Sequence, residues 1–322
     1  MWISGASTHR NGIATMVTSI QRKDAPTPID WRDHLVRLEG AYSPSTIRHY
    51  KVSVAQFVAW CEAEDLTPFP ATVETLCAFL ELQAESKSPV TVRNRLYAVR
   101  KFHQLLGLPD PTAHVDVNLV LRRIRRQSTR RQRQVKGLTH DYLVQCLDAQ
   151  PADPWGLRNR ALISLGYDLL TRRSELVALK TSDVEFMDNG TLRVLIRRSK
   201  TDPFGKGRMA FGSARSAELL REWLDWRGTK ISPLFCPIYH WKAINRHLSV
   251  TIVQDTLRQA LMAAGIPASE AAHFSGHSMR VGAAQDLLCA GHDTAAIMRA
   301  GGWKSLNALG RYLELAEHNV WA

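Results

Sequence analysis

The chain has 322 residues, 45% of them hydrophobic, and carries 42 Lys and Arg against 30 Asp and Glu, a formal net charge of +12. That length exceeds what one core usually organises and predicts two domains of unequal size; the positive excess points to a polyanion, nucleic acid ahead of an anionic membrane surface. No stretch is apolar for long enough to span a bilayer and Met1–Met16 lacks a signal-peptide core; Cys61, Cys77, Cys146, Cys236 and Cys289 are odd in number and never in a CxxC pair, which argues against a disulfide framework and a cysteine zinc site, so a cytoplasmic protein with reduced thiols is expected.

Residues 1–27 show no sustained period, include Asp24-Ala-Pro-Thr-Pro, and are read as a mobile arm. From Ser45 to Glu62 the residues Ile47, Tyr50, Val54, Phe57, Val58 and Cys61 recur at three- and four-residue steps, an amphipathic helix started by Ser43-Pro-Ser. Further helices are predicted around Val73–Ala84 and over Pro89–Leu106, the latter with Pro in its first turn and Gly107 just past its end. A short helix over Val115–Arg126 turns Val120, Leu121 and Ile124 inward and Arg122, Arg123, Arg125 and Arg126 outward. Residues 28–126 therefore read as a compact all-helical unit with a densely positive outer side. Arg93, Arg95 and Lys101 on the Pro89 helix are candidate DNA contacts, with solvated surface an equal alternative.

Residues 127–137, QSTRRQRQVKG, form a polar basic run with no apolar period, the expected linker, in which Arg130, Arg131 and Arg133 could lie along phosphates. The second domain, 138–322, opens on Leu138-Thr-His-Asp, where Thr139 could cap a helix carrying Leu143, Cys146 and Leu147. Helices are predicted from Gly156 to about Leu170 and on to Lys180. The period then becomes two: Leu192, Val194 and Ile196 make a strand, Asp202-Pro-Phe-Gly breaks it, and Met209–Phe211 returns. From Ala214 onward the period is helical, with loops at Gly228–Pro237 and around Gly301-Gly302.

Four pieces of this domain bear chemistry: Thr171-Arg172-Arg173-Ser174-Glu175-Leu176, Arg198-Ser199-Lys200-Thr201, Gly276-His277-Ser278-Met279-Arg280-Val281-Gly282, and Gly301-Gly302-Trp303 followed by Gly310-Arg311-Tyr312-Leu313. Singly, each has a bland explanation in capping, solvated charge or packing. Together they resemble the active site of the tyrosine recombinase, or phage integrase, family, and the run SGHSMRVGAAQDLLCAGHDTAAIMRAGGW with a tyrosine nine residues on is similar to its Cre-like members.

The resemblance implies a mainly α protein with a small antiparallel β-sheet, a two-domain C-shaped clamp that binds double-stranded DNA at inverted-repeat sites and acts as a homotetramer on two such sites, with residues 28–126 as its helical core DNA-binding domain. It also implies strand cleavage through a 3′-phosphotyrosyl link to Tyr312 and exchange through a four-way junction, with no cofactor and no metal. The residues make sense as chemistry. Attack on a phosphodiester loads charge onto the non-bridging oxygens, which the guanidiniums of Arg172 and Arg280 can hold. Forming a phenolate at neutral pH costs about 4 kcal/mol, which cationic surroundings or proton transfer must offset. By resemblance Lys200 is the acid for the leaving 5′ oxygen; His277 can bond a phosphate oxygen and assist proton movement, and Trp303 can donate its indole N–H. Glu175 is expected behind them, orienting the His277 and Lys200 side. Three-residue spacing to Glu175 selects Arg172 over Arg173, and Trp303 stands where most of the family carries histidine.

A metal reading could cite His273 and His277, or Cys236 and His240, but Ser275-Gly276 breaks the helix that would align the first pair and no third ligand adjoins either. A DNA-binding relative without catalysis would not need all six site residues, and a strand-relaxing topoisomerase shares the chemistry but acts without paired sites.

Overall fold

The computed structural model describes residues 30–128, 134–199, 202 and 205–316. The arm over 1–27 lies outside the described residues, as do Arg130, Arg131, Arg133 and Lys200. The chain divides into two compact units between Gln132 and Arg133.

In the first unit a 3-10 segment, Trp31–Leu38, precedes helices α1 (Pro44–Ala63), α2 (Val73–Ser86), α3 (Pro89–Leu106) and α4 (Val115–Gln127). Ser43, Thr72 and Ser88 start the first three by accepting the amide protons of Thr46, Thr75 and Thr91, which satisfies backbone donors the helix itself cannot. α1 packs on α3 and α2 on α4, around Trp31, Phe57, Phe79 and Phe102; Phe57 meets Phe79 edge-on at 5.0 Å. One candidate DNA contact is corrected here. Arg95 is 8% exposed because residues 92, 95, 96 and 99 form one helical stripe, so it packs beside Val92, Leu96 and Val99, and burial pushes its pKa down. Arg93 and Lys101 are half-buried, and the Lys101 ammonium lies 5.5 Å over the Tyr42 ring.

The second unit begins where the linker was expected to continue. Lys136 N donates to His273 O at 3.0 Å, Leu138 N to Ser278 O at 2.8 Å, and Lys136 Nζ reaches Glu270 at 2.7 Å and the Tyr142 hydroxyl at 2.6 Å. Residues 134–136 are half-buried and Gly137 is buried, and Lys136 N ties this stretch to the loop before His277. Helices α5 (His140–Asp148), α6 (Pro154–Asp168) and α7 (Arg173–Ala178) follow. Thr139 sits at the cap of α5, yet its hydroxyl makes no cap bond; the Asp286 carboxylate takes the His140 amide instead, at 2.7 Å.

Strands β1 (Val184–Phe186), β2 (Leu192–Ile196) and β3 (Arg208–Gly212) form an antiparallel sheet in that order, with Leu192 opposite Gly212 and Ile196 opposite Arg208. After α8 (Ala214–Arg227), the pair β4 (Ile238–Tyr239) and β5 (Lys242–Ala243) interrupts what was read as loop and helix. β1, β4 and β5 escaped the sequence reading because two or three residues cannot display a period. Helices α9 (Val250–Ala263), α10 (Ala268–Ala271), α11 (Ser278–Cys289), α12 (Thr294–Gly301) and α13 (Leu306–Leu313) complete the described chain. α6 is the central element, packed by α8 and α11 in a core that includes Leu162, Leu165, Trp223, Phe235 and Phe274. A second cluster, Leu170, Ala283, Ala284, Ile297, Trp303 and Leu309, joins α11, α12 and α13 and carries the site.

Candidate active site

α11 places two of the expected residues. His277 is its cap, held by a turn in which His277 N donates to Ser275 Oγ at 3.1 Å and Ser275 N to Ser278 Oγ at 2.9 Å. Arg280, one turn further in, is 0% exposed. Its Nη1 donates to Leu170 O, while Nε and Nη2, the side-on fork of the guanidinium, are buried without a partner among the described residues. The guanidinium carbon lies 3.8 Å from the centre of the Trp303 ring and 5.5 Å from that of Tyr312, and those two rings meet edge-on at 5.0 Å. Trp303 Nε1 is also buried without a partner among the described residues. Such orphaned donors each cost about 1–3 kcal/mol, so a native fold that keeps them calls for an acceptor.

Local structure explains why the rings sit there. Gly302, at φ +67°, turns the chain out of α12 in a left-handed cap, and the Trp303 ring folds back over Gly301, where a Cβ would be 1.9 Å from it. α13 then returns along the same cluster: Leu309 is buried, and Tyr312 is half-buried three residues later.

Arg172 caps α7. Its Nη1 pairs with Glu175 Oε1 at 2.6 Å, and Glu175 Oε2 accepts the Arg172 amide at 3.1 Å. Glu175 therefore orients Arg172, with its carboxylate brought back over the helix start by the i, i+3 spacing; Lys200, which it was also expected to orient, lies outside the described residues. Arg173 runs instead along Gly276, where a Cβ would be 2.8 Å from Arg173 Cδ. Lys200 is outside the described residues, and its neighbours Ser199 and Asp202 exchange backbone hydrogen bonds of 3.4 and 3.0 Å.

The charges act on one another. Burial, and then Arg172, hold the Arg280 guanidinium down to about 10, against the opposite pull of Tyr312 and Glu175. Desolvation, with Arg173, Arg280 and Arg172, lowers the pKa of His277, which Glu175 opposes. His277 is consequently neutral at pH 7 and can accept a proton. Its protonation sets the expected acid limb of kcat/KM below pH 6.5, with activity lost as pH falls through the folded pKa. Arg173→Ala removes one of the depressing charges and should move that limb to higher pH; an unmoved limb in a pH–rate profile would detach it from His277.

One neighbour of the site was missed. Arg208 at the start of β3 donates to Ala300 O at 2.6 Å and Leu169 O at 2.9 Å, tying the hairpin base to the Gly301-Gly302 corner and to the residue before the Arg280 acceptor. Strand parity was the available signal, since Arg208 shares its face with the inward Ala210 and Gly212.

Comparison with known proteins places the arrangement. Residues 136–319 match the model of the phage integrase family, and residues 30–107 match the phage integrase N-terminal SAM-like domain. The chain belongs to the phage integrase family. Curated relatives include an integrase/recombinase xerD homolog of Selenomonas ruminantium, 29% identical over 86% of this chain and 84% of that one. The recombinase cre of Escherichia phage P1 is 28% identical over 85% and 84%. Among solved structures, a XerH site-specific recombinase bound to palindromic difH substrate superposes with a TM-score of 0.64 at 19% identity, covering 95% of this chain and 91% of that one. A lambda integrase tetramer bound to a Holliday junction gives 0.63 at 15%, covering 98% and 84%. These share the fold, mostly helical with small antiparallel sheets. Among the described residues no three His, Cys, Asp or Glu gather as a metal site, and no helix is long and apolar enough to cross a membrane.

Proposed function

We propose that this family member cleaves and rejoins DNA at specific sites through a covalent bond between the Tyr312 oxygen and the scissile phosphate, and that Arg172, Lys200, His277, Arg280 and Trp303 serve that reaction. One observation carries the reading: a fully buried guanidinium, with its two-nitrogen fork unpartnered, lies against the ring of a tyrosine. A fork of that shape matches two oxygens of a phosphate, and the phenol beside it is the nucleophile.

The Tyr312 oxygen attacks phosphorus, the bond to the 5′ oxygen breaks, and a 3′-phosphotyrosyl ester remains. The phenol proton passes toward neutral His277, and the leaving oxygen takes a proton from Lys200. Arg280, Arg172 and the Trp303 indole N–H hold the non-bridging oxygens as charge accumulates there. The ester conserves the energy of the broken bond, so attack by a 5′ hydroxyl from another strand rejoins DNA without nucleoside triphosphate. The relatives solved on palindromic DNA and as a tetramer on a Holliday junction support paired inverted-repeat sites and a four-protomer assembly for this chain as well. The net charge of +12 supplies long-range attraction to the duplex, and Arg93, Lys101, Arg130, Arg131 and Arg133 are its candidate contacts.

Incubating the protein in EDTA with nicked duplex carrying the inverted repeats beside its own gene tests the reading. A detergent-resistant protein–DNA adduct is expected from the parent and none from Tyr312→Phe, with DNA affinity unchanged. An adduct that persists in the phenylalanine variant would move the nucleophile elsewhere.

A further inference from the structure

The nucleophile rides on a short helix held to the rest of the unit mainly by apolar packing. α13 has eight residues, and of these only Leu309 is fully buried. Apolar contacts of that kind resist separation but set neither rotation about the helix axis nor sliding along it. The last carbonyls of a helix have no partner inside it, and they are handles by which it can be fixed.

Two carboxamides take those handles. Gln285 Nε2 donates to the carbonyl of Tyr312 itself at 3.2 Å, and Gln134 Nε2 donates to the carbonyl of Arg311 at 2.6 Å and also meets the Glu314 carboxylate. Gln285 is 5% exposed and lies on α11, five residues after Arg280. Its rotamer is confined by the chain entering the unit: a Cβ on Gly137 would lie 2.3 Å from Gln285 Oε1. The entering segment is pinned in turn by Lys136 N on His273 O and Leu138 N on Ser278 O.

We infer that Gln285 and Gln134 are positioning residues that seat the Tyr312 turn for attack, and that the segment 134–137 thereby links the entry of the chain into this unit to the nucleophile. This rests on Tyr312 being the nucleophile. α11 holds the phosphate through Arg280 and the attacking turn through Gln285, so a single rigid helix sets the distance between the two reacting partners. Gln134 adds a second anchor that is lost whenever residues 134–137 leave their seat. Because a misplacement of about 1 Å costs on the order of a hundredfold in rate, two hydrogen bonds to the backbone of α13 suffice to switch the site.

The test uses the full chain with Gln285→Met, Gln134→Met and the double variant, which keep side-chain length and remove the donor. Cleavage of nicked duplex is followed in single turnover at saturating DNA, alongside DNA affinity and thermal unfolding. Each single variant should form adduct about tenfold more slowly and the double variant about a hundredfold, with affinity within about twofold of the parent. On a substrate whose scissile 5′ oxygen is replaced by sulfur, which leaves without a proton, the defect should persist in full because it lies in attack. Recovery on the sulfur substrate overturns the inference, since the residues would then act on the leaving group. So does a parental rate in the double variant, or a rate loss matched by an equal loss of affinity. If Gln285→Met unfolds, Gln134→Met at its half-buried position decides alone. Failure of the parent to form an adduct, or its survival in Tyr312→Phe, would instead remove the nucleophile assignment itself.

Discussion

Arg280→Met should lower the rate of strand cleavage by about a thousandfold or more without lowering the unfolding free energy by more than about 1 kcal/mol. The two halves of that expectation have separate causes. In the proposed reaction the guanidinium fork meets charge on the phosphate, and a single donor to an oxyanion is commonly worth about a hundred- to a thousandfold. In the free protein the same fork is a liability: Nε and Nη2 are buried unpartnered, and Arg172 adds repulsion. Methionine fills similar space, relieves both, and forfeits the bond to Leu170 O and the stacking over Trp303, losses of about 1 kcal/mol each. Single-turnover cleavage and chemical denaturation measure the two halves. A variant that unfolds several kcal/mol more easily would make Arg280 a structural strut.

Gly282→Ala should destabilise the second unit by about 3 kcal/mol and take activity with it. A Cβ there would stand 1.8 Å from Leu138 O and 2.1 Å from its carbonyl carbon, and this is backbone that cannot rotate aside. The entering chain lies so close to α11 because Leu138 N bonds Ser278 O. Either the entry segment lifts or α11 shifts, and α11 carries His277 at its cap, Arg280 and Gln285. Denaturant midpoints and DNA affinity check this; an unchanged midpoint would show that the two backbones part without cost.

The helices of the first unit were plain in the sequence because Val54, Phe57, Val58 and Cys61, or Val92, Leu96, Val99 and Phe102, repeat at the helical step and Ser or Thr stands before them. Arg95 was misjudged by residue type: its place in the same stripe as Leu96 and Val99 outweighs its charge, since a long aliphatic stem packs like any other. In the proposed site, Tyr312, Trp303, Arg280 and His277 were picked out by spacing and by resemblance to a family, and Arg172 by its distance from Glu175. What spacing could not give was partnership. Glu175 looks the same in sequence whether it serves Arg172 or His277, and only the hydrogen bonds assign it to Arg172. Gln285, in the apolar run Val281-Gly-Ala-Ala-Gln, reads as helix filler, because its importance lies in a carbonyl 27 residues away. Gln134 was hidden inside a basic run whose neighbours drew the attention.

The dehydrated state of Arg280 has a bearing on how the enzyme meets its substrate. A guanidinium on an open surface must shed its water each time an anion arrives, and that expense is charged to every encounter. On the proposed function, a fork already buried by folding presents an incoming oxyanion with donors that have no acceptor among the described residues. Occupancy of that cradle raises the unfolding free energy in proportion to the logarithm of anion concentration over its dissociation constant. On that reading, bound nucleic acid would stabilise the catalytic unit as well as being the object of its chemistry.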